Sequence, residues 1–326
     1  MITLAEAKVG MADKVDQQVI DEFRRGSLLL DMLIFDDTVS PGTGGSTLTY
    51  GYMKLKTPST AAFREINNEY SDDENASNEA KREKASADLK IFGGEFKIDR
   101  VIANSSGAVD EVDFQMKEKI KGAINLFHYT VINGDANTNS KEFDGLDTLL
   151  TGSSTEYNTE TAIDLSTSEK MDANYKEFLD MMDEFVSKMQ GKPHIFLMNG
   201  KMKTKMKGIA RRAGYYSSSE DAFGRSVDNW DGIPMQDLEE YFDPKTKKTI
   251  PCVPIDDVER TTDIYAVQIA KDGFHGVSLQ GEKIISTCLP NFKEAGAVKK
   301  GDVEMVAAVV LKNSLKAGVF RKIKVK

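Results

Sequence analysis

The sequence predicts an α+β fold, and three observations lead to it. A 3.6-residue apolar period runs through residues 111–133, period-2 alternation flanks a polar stretch at 64–90, and the last third of the chain is a series of short strand patterns between Gly, Pro and Asp turns. Helices and strands therefore gather in different parts of the chain, with one strand-turn-helix unit between them.

Near the N-terminus, Val15, Val19, Ile20, Phe23, Leu28, Leu29 and Met32 have a helical spacing that Gly26 interrupts, which predicts one or two short helices. Residues 41–45 are loop chemistry. From Ser46, Thr47 and Thr49 alternate with Leu48, Tyr50 and Tyr52 as in a strand, and Gly51 is the expected bulge. A second strand is predicted over Leu89 to Ile102, where Phe96 and Ile98 lie opposite Glu95, Lys97 and Asp99.

Between these strands the chain reads REINNEYSDDENASNEAKREKASADLK, residues 64–90. Such a stretch buries too little apolar surface to offset its ordering entropy, so it is either a solvated loop or the tip of a projecting hairpin. Strands of eight to ten residues at about 3.3 Å each would carry that tip roughly 30 Å outward. An isolated ribbon is marginal alone, and its alternating charges suit a neighbouring subunit. Arg64, Lys81, Arg82 and Lys84 are the candidate inter-subunit contacts.

The strongest helix follows, with Asp110 as N-cap, Met116, Ile120, Ala123, Ile124, Phe127 and Val131 as its apolar stripe, and Asn133-Gly134 as its stop. At 1.5 Å per residue it spans about 33 Å. After a Thr/Ser/Asn-rich connection at 151–168, a second amphipathic helix carries Met171, Tyr175, Phe178, Leu179, Met182, Val186 and Met189, and Gly191 to Pro193 ends it. Residues 194–198 are a continuous apolar run read as a buried strand, and Asn199-Gly200 turns into a third helix with Met202, Met206 and Ile209 on one face. Strands are predicted at 264–270, 276–280, 303–311 and 319–325.

At 326 residues, 40% hydrophobic and 29% charged, the chain has the composition of a folded globular protein. The excess of 52 acidic over 43 basic residues, net −9, is the wrong sign for a protein that grips nucleic acid through its phosphates. Two distant cysteines make neither a disulfide framework nor a zinc site. No signal peptide or membrane span is legible, so the expectation is a protein soluble in the cytoplasm at synthesis.

The motifs that approach known chemistry each fall short. Asp135, Asn137 and Asn139 match the opening of an EF-hand loop, but position six is Ser140 and position twelve Leu146, which leaves an Asx-turn loop. Ser278 between Gly276 and Gly281 has one residue too many for a nucleophile elbow. His128, His194 and His275 have no ligand spacing. Lys192, Lys201, Lys203, Lys205, Lys207, Arg211 and Arg212 form the one basic run, read chiefly as a solvated or acid-paired helix face, with nucleic-acid contact as the other reading. No catalytic, cofactor or metal site is expected.

The succession of elements resembles the major capsid proteins of tailed phages, which have the HK97-like fold. The resemblance rests on the charged hairpin, the segment FGGEFKIDRVI at 92–102, the helix at 111–133 closing in INGD, and FDGL at 143–146. It implies an N-terminal arm at 1–45, an extended hairpin (E-loop) region at 46–102, a P-domain with spine helix at 103–164, an inserted A-domain at 165–255 and P-domain C-terminal strands at 256–326. It further implies self-assembly through pentamers and hexamers into an icosahedral virion shell enclosing double-stranded DNA without sequence-specific binding, a portal, and assembly in the host bacterial cytoplasm. The short segment ahead of the hairpin implies a separate scaffolding protein or an earlier proteolytic removal. Two other readings remain open: an encapsulin-like nanocompartment shell, and a two-domain α/β hydrolase or binding protein.

Overall fold

The computed structural model describes residues 27–39, 48–57, 59, 61, 63–67, 80–105, 111–214, 216–220, 224, 226–279 and 284–326. The helical pattern before Leu28, the N-cap at Asp110 and residues 68–79 of the polar stretch lie outside them. The described elements are α1 (Leu28–Met32), β1 (Phe35–Val39), β2 (Thr49–Thr57), β3 (Lys81–Asp88), β4 (Lys90–Asp99), α2 (Arg100–Ser105), α3 (Glu111–Asn133), α4 (Leu146–Leu150), β5 (Glu156–Tyr157) and β6 (Ile163–Asp164). There follow α5 (Ser168–Ser187), β7 (Ile195–Met198), α6 (Gly200–Ala213), β8 (Tyr216–Glu220), β9 (Ser226–Trp230), β10 (Ile233–Asp237), β11 (Glu240–Asp243) and β12 (Lys248–Pro251). The chain ends in β13 (Thr261–Val267), β14 (Phe274–Leu279), β15 (Ile285–Cys288), β16 (Val298–Leu311) and β17 (Ala317–Lys324). Among the described residues no helix is long and apolar enough to cross a membrane.

Two sheets organise the molecule. The first runs β1-β14-β16-β15 with β4 also on β16, and α3 lies against β4 and β16. The α3 stripe is buried as its spacing predicts, from Met116 through Ile120, Ala123, Ile124 and Phe127 to Val131. The second runs β5-β17-β13-β7-β10-β9-β8 with β6 also on β17. Ile195 and Leu197 of β7 enter the core that contains α3, whereas Phe196 and Met198 enter the core beneath α5 and α6. A strand buried on both faces reads as an unbroken apolar run, which is why residues 195–198 show no alternation.

Several expectations need correction. The return strand of the hairpin is β3, from within the polar stretch, and it pairs antiparallel with β2 from Thr49↔Asp88 to Thr57↔Lys81. Backbone pairing needs no apolar side chains, so a strand can form where no core can. The segment expected to return the hairpin, 89–102, instead pairs with β16 as β4 up to Asp99 and becomes helical from Arg100. The ribbon's irregularity lies between Leu55 and Thr57, while Gly51 stays in register with Ser86. The 151–168 connection contributes β5 and β6, both parallel to β17. Within residues 165–255, β11 and β12 pair only with each other among the described residues, whereas β7 bonds to β13 and so shares the larger sheet with β13 and β17. Helix α5 ends at Ser187, ahead of Gly191, whose φ of 89° turns the chain toward β7.

A projecting ribbon and its root: the candidate assembly interface

Three of the four residues singled out in the polar stretch fall on one strand. Lys81, Arg82 and Lys84 lie on β3, all exposed, facing Thr57, Leu55 and Met53 across the ladder, and Arg64 is exposed in the segment joining the two strands. β2 and β3 pair only with each other among the described residues. Nine residues of strand at about 3.3 Å carry the ribbon about 30 Å. Its apolar side chains are exposed with its charges: Met53 is 64% exposed, and Phe63 and Ile66 of the connecting segment are almost fully so.

The root is built differently. Tyr50 and Leu89 are buried, and Leu89 donates its amide to the Leu48 carbonyl. The Tyr50 hydroxyl donates to Asp36 Oδ2 at 2.8 Å, and the Tyr50 ring stacks on Tyr52 and meets His275 edge-on at 6.0 Å. Burial, then the nearby Asp144 carboxylate, pushes the Tyr52 hydroxyl up from its ordinary range. Thr49 Oγ1 donates to Asp88, and Lys90 Nζ reaches the Ser140 carbonyl at 2.9 Å. The ribbon is thus fixed where it leaves the body, and beyond Tyr52 its strands pair only with each other among the described residues.

The other sequence candidates resolve into structural roles. Asp135 accepts from the Asn137 amide and Thr138 Oγ1, which holds its carboxyl below the usual range and makes the Asx turn expected there. Ser278 is a buried β14 residue opposite Ala307. His194 Nδ1 accepts from the Ile269 amide. His128, fully buried on α3, bonds Ser27 Oγ at 2.8 Å and the Leu238 carbonyl, and burial pushes its imidazole down to about 4. On α6, Lys207 pairs with Asp228 at 2.7 Å, Lys203 lies 3.8 Å from the same carboxylate, Arg212 pairs with Asp172, and Arg211 lies over the Tyr216 ring. The basic run is therefore largely matched within the chain, by β9 and α5.

The sequence reasoning missed a network of four charged groups. Arg321 of β17 bonds Glu156, Asp147 and Asp263, tying β5, α4 and β13 together. Burial raises the Asp263 carboxyl despite the guanidinium beside it. Nothing in the spacing of residues 147, 156, 263 and 321 signals this, since only the sheet brings them together.

No family model and no curated protein matches the sequence. Solved structures match it over most of its length. A chain of the holo-SrpI encapsulin complex from Synechococcus elongatus aligns with TM-score 0.57 and 16% identity, over 91% of this chain and 87% of that one. The capsid of an empty GTA particle aligns with TM-score 0.54 and 12% identity, over 91% and 90%. A chain of Mycobacterium phage Bobi aligns with TM-score 0.54 and 10% identity, over 91% and 90%. The chain has the α+β, HK97-like fold that the order of its elements predicts.

Proposed function

We propose that this protein is a major capsid protein, a non-enzymatic subunit that assembles with itself into a closed icosahedral shell around packaged double-stranded DNA. The observation that carries the reading is the fold, similar over 91% of the chain to the capsid of a GTA particle. The ribbon supports it, because a shell subunit needs surfaces for several neighbours, and heterologous contacts that close into rings build a container. Within this reading β2 and β3 form the E-loop, α3 is the spine helix of the P-domain, residues 165–255 are the A-domain, and Arg64, Lys81, Arg82 and Lys84 contact the next subunit. Its partners are then copies of itself in pentamers and hexamers, a separate scaffolding protein and a portal, and its place is the virion after assembly in the host cytoplasm. The net charge of −9 suits a wall that DNA slides past.

The likeness to an encapsulin chain favours a second reading, a nanocompartment shell around protein cargo. Negative-stain microscopy of the purified protein, with nuclease protection of its contents, decides. Closed shells protecting double-stranded DNA support the capsid, shells holding protein and no DNA support the nanocompartment, and a protein that stays monomeric at high concentration overturns both.

A further inference from the structure

Two buried polar atoms at the ribbon root have no hydrogen-bond partner among the described residues: Asp36 Oδ1 and His275 Nε2. They belong to neighbouring parallel strands, β1 and β14, whose register sets Phe35 opposite Gly276 and Asp36 opposite Val277. Residues 36 and 275 fall on one face of that pair by the two-residue period. His275 is 0% exposed and Asp36 6%. The His275 Nδ1 lies 3.3 Å from the Gly273 carbonyl, so the neutral ring keeps its proton there and leaves Nε2 as a bare acceptor. An unpaired buried acceptor is costly, and in a native structure it calls for a role.

Tyr50 closes this site from the ribbon side, through its bond to Asp36 and its edge contact with the His275 ring. Among the described residues, further charged groups beside it are cations: Lys271 Nζ, 4.0 Å from Asp36 Oδ1, and Lys312 Nζ, 5.2 Å from the Tyr50 ring centroid. From these contacts we propose that Asp36, Tyr50 and His275 form a proton-sensitive latch, closed over neutral imidazole and released when His275 takes up a proton, so that acid frees the ribbon from the body. A second proton would make a dry imidazolium beside two ammonium groups, with one carboxylate already engaged by Tyr50. Once Tyr50 lifts away, water solvates the ring and the proton is accepted. The direction of titration agrees: burial first, then the charges of Lys312 and Lys271, hold His275 below its ordinary range, while the Gly273 bond and Asp36 oppose this. A group whose closed-state affinity for a proton is depressed favours the closed state above about pH 6.5 and opens it as pH falls below that.

This inference goes beyond the assembly reading and is tested on the unassembled chain, whatever that chain builds. Amide hydrogen exchange at residues 49–53 and 84–88, corrected for intrinsic rates, should lose protection by up to about tenfold per pH unit below 6.5, the limit for one linked proton. His275→Phe keeps a ring without the titration and should flatten that dependence. Should this variant not fold, the parent decides alone by adding low denaturant. Opening at 49–53 that is acid-dependent but denaturant-insensitive supports a local latch. Protection lost only in step with global unfolding, or a folded His275→Phe chain with unchanged acid dependence, overturns it.

Discussion

At the scale of residues, the α3 stripe sets the stability of the subunit. Ile120 and Ile124 are 1% and 6% exposed, one turn apart against the sheet. Truncating either to Ala should cost about 2–5 kcal/mol through lost transfer energy and the cavity left behind, whereas Lys117→Ala, at a side chain exposed beside its pair with Asp113, should stay within about 0.5 kcal/mol. Denaturant melting of the chain at low concentration measures both, because any self-association would mask the loss by mass action. Gly134 is constrained by space: a Cβ there would lie 2.1 Å from the Phe143 carbonyl oxygen and 2.6 Å from that of Thr130. Gly134→Ala should therefore destabilise by at least the roughly 1–3 kcal/mol of ordinary overpacking, since backbone rather than a flexible side chain must yield. His128 adds an acid limit. Its folded pKa of about 4 lies below the unfolded value, so stability is intact above about pH 6.5 and falls by roughly 3 kcal/mol by pH 4. His128→Gln should flatten that slope in melts across the same range.

At the scale of elements, the ribbon and α6 make opposite predictions. Replacing residues 54–83 by a short Gly-containing turn cuts the ribbon beyond its Met53↔Lys84 pair and keeps Tyr50, Tyr52 and Leu89 at the root. We expect a chain with the parental circular dichroism and melting midpoint that sediments as a monomer. Shells of normal size from this deletion would show that the ribbon is not an assembly element. Reversing Lys81, Arg82 and Lys84 to Glu should weaken assembly without unfolding the chain. On α6, Lys203 and Lys207 serve Asp228 and Lys205 serves the Ser166 carbonyl. Changing the three to Gln should lower the melting point by a few degrees at most and, under the proposed capsid reading, leave packaged DNA length unaltered, a length read on agarose gels of DNA extracted from shells.

For the molecule as a whole, the two-faced sheet decides how many units unfold. β7 and β13 send alternate side chains into the α3 core and the α5–α6 core, so neither core can open without exposing the back of the other. The unassembled chain should melt in one calorimetric transition with equal van't Hoff and calorimetric enthalpies. Two resolved peaks would mean that residues 165–255 fold as a unit on their own.

Local patterning alone determined the long helix, its stripe and its stop at Gly134, the buried strand at 195–198, the turn at Asn199 into α6 and four strands of the final third, β15 (Ile285–Cys288) excepted, because each rests on a period or a turn that neighbours in the chain supply. The same succession sufficed for the fold. Pairing was different. That β3 and not β4 returns the hairpin depends on β16, some 200 residues further on, which takes β4 as its own neighbour. The Arg321 network, the charge partners of α6 and the Asp36–Tyr50–His275 root likewise join residues from distant segments. Hydrogen bonding and burial between such segments leave no period in the sequence, so only the tertiary structure could decide them.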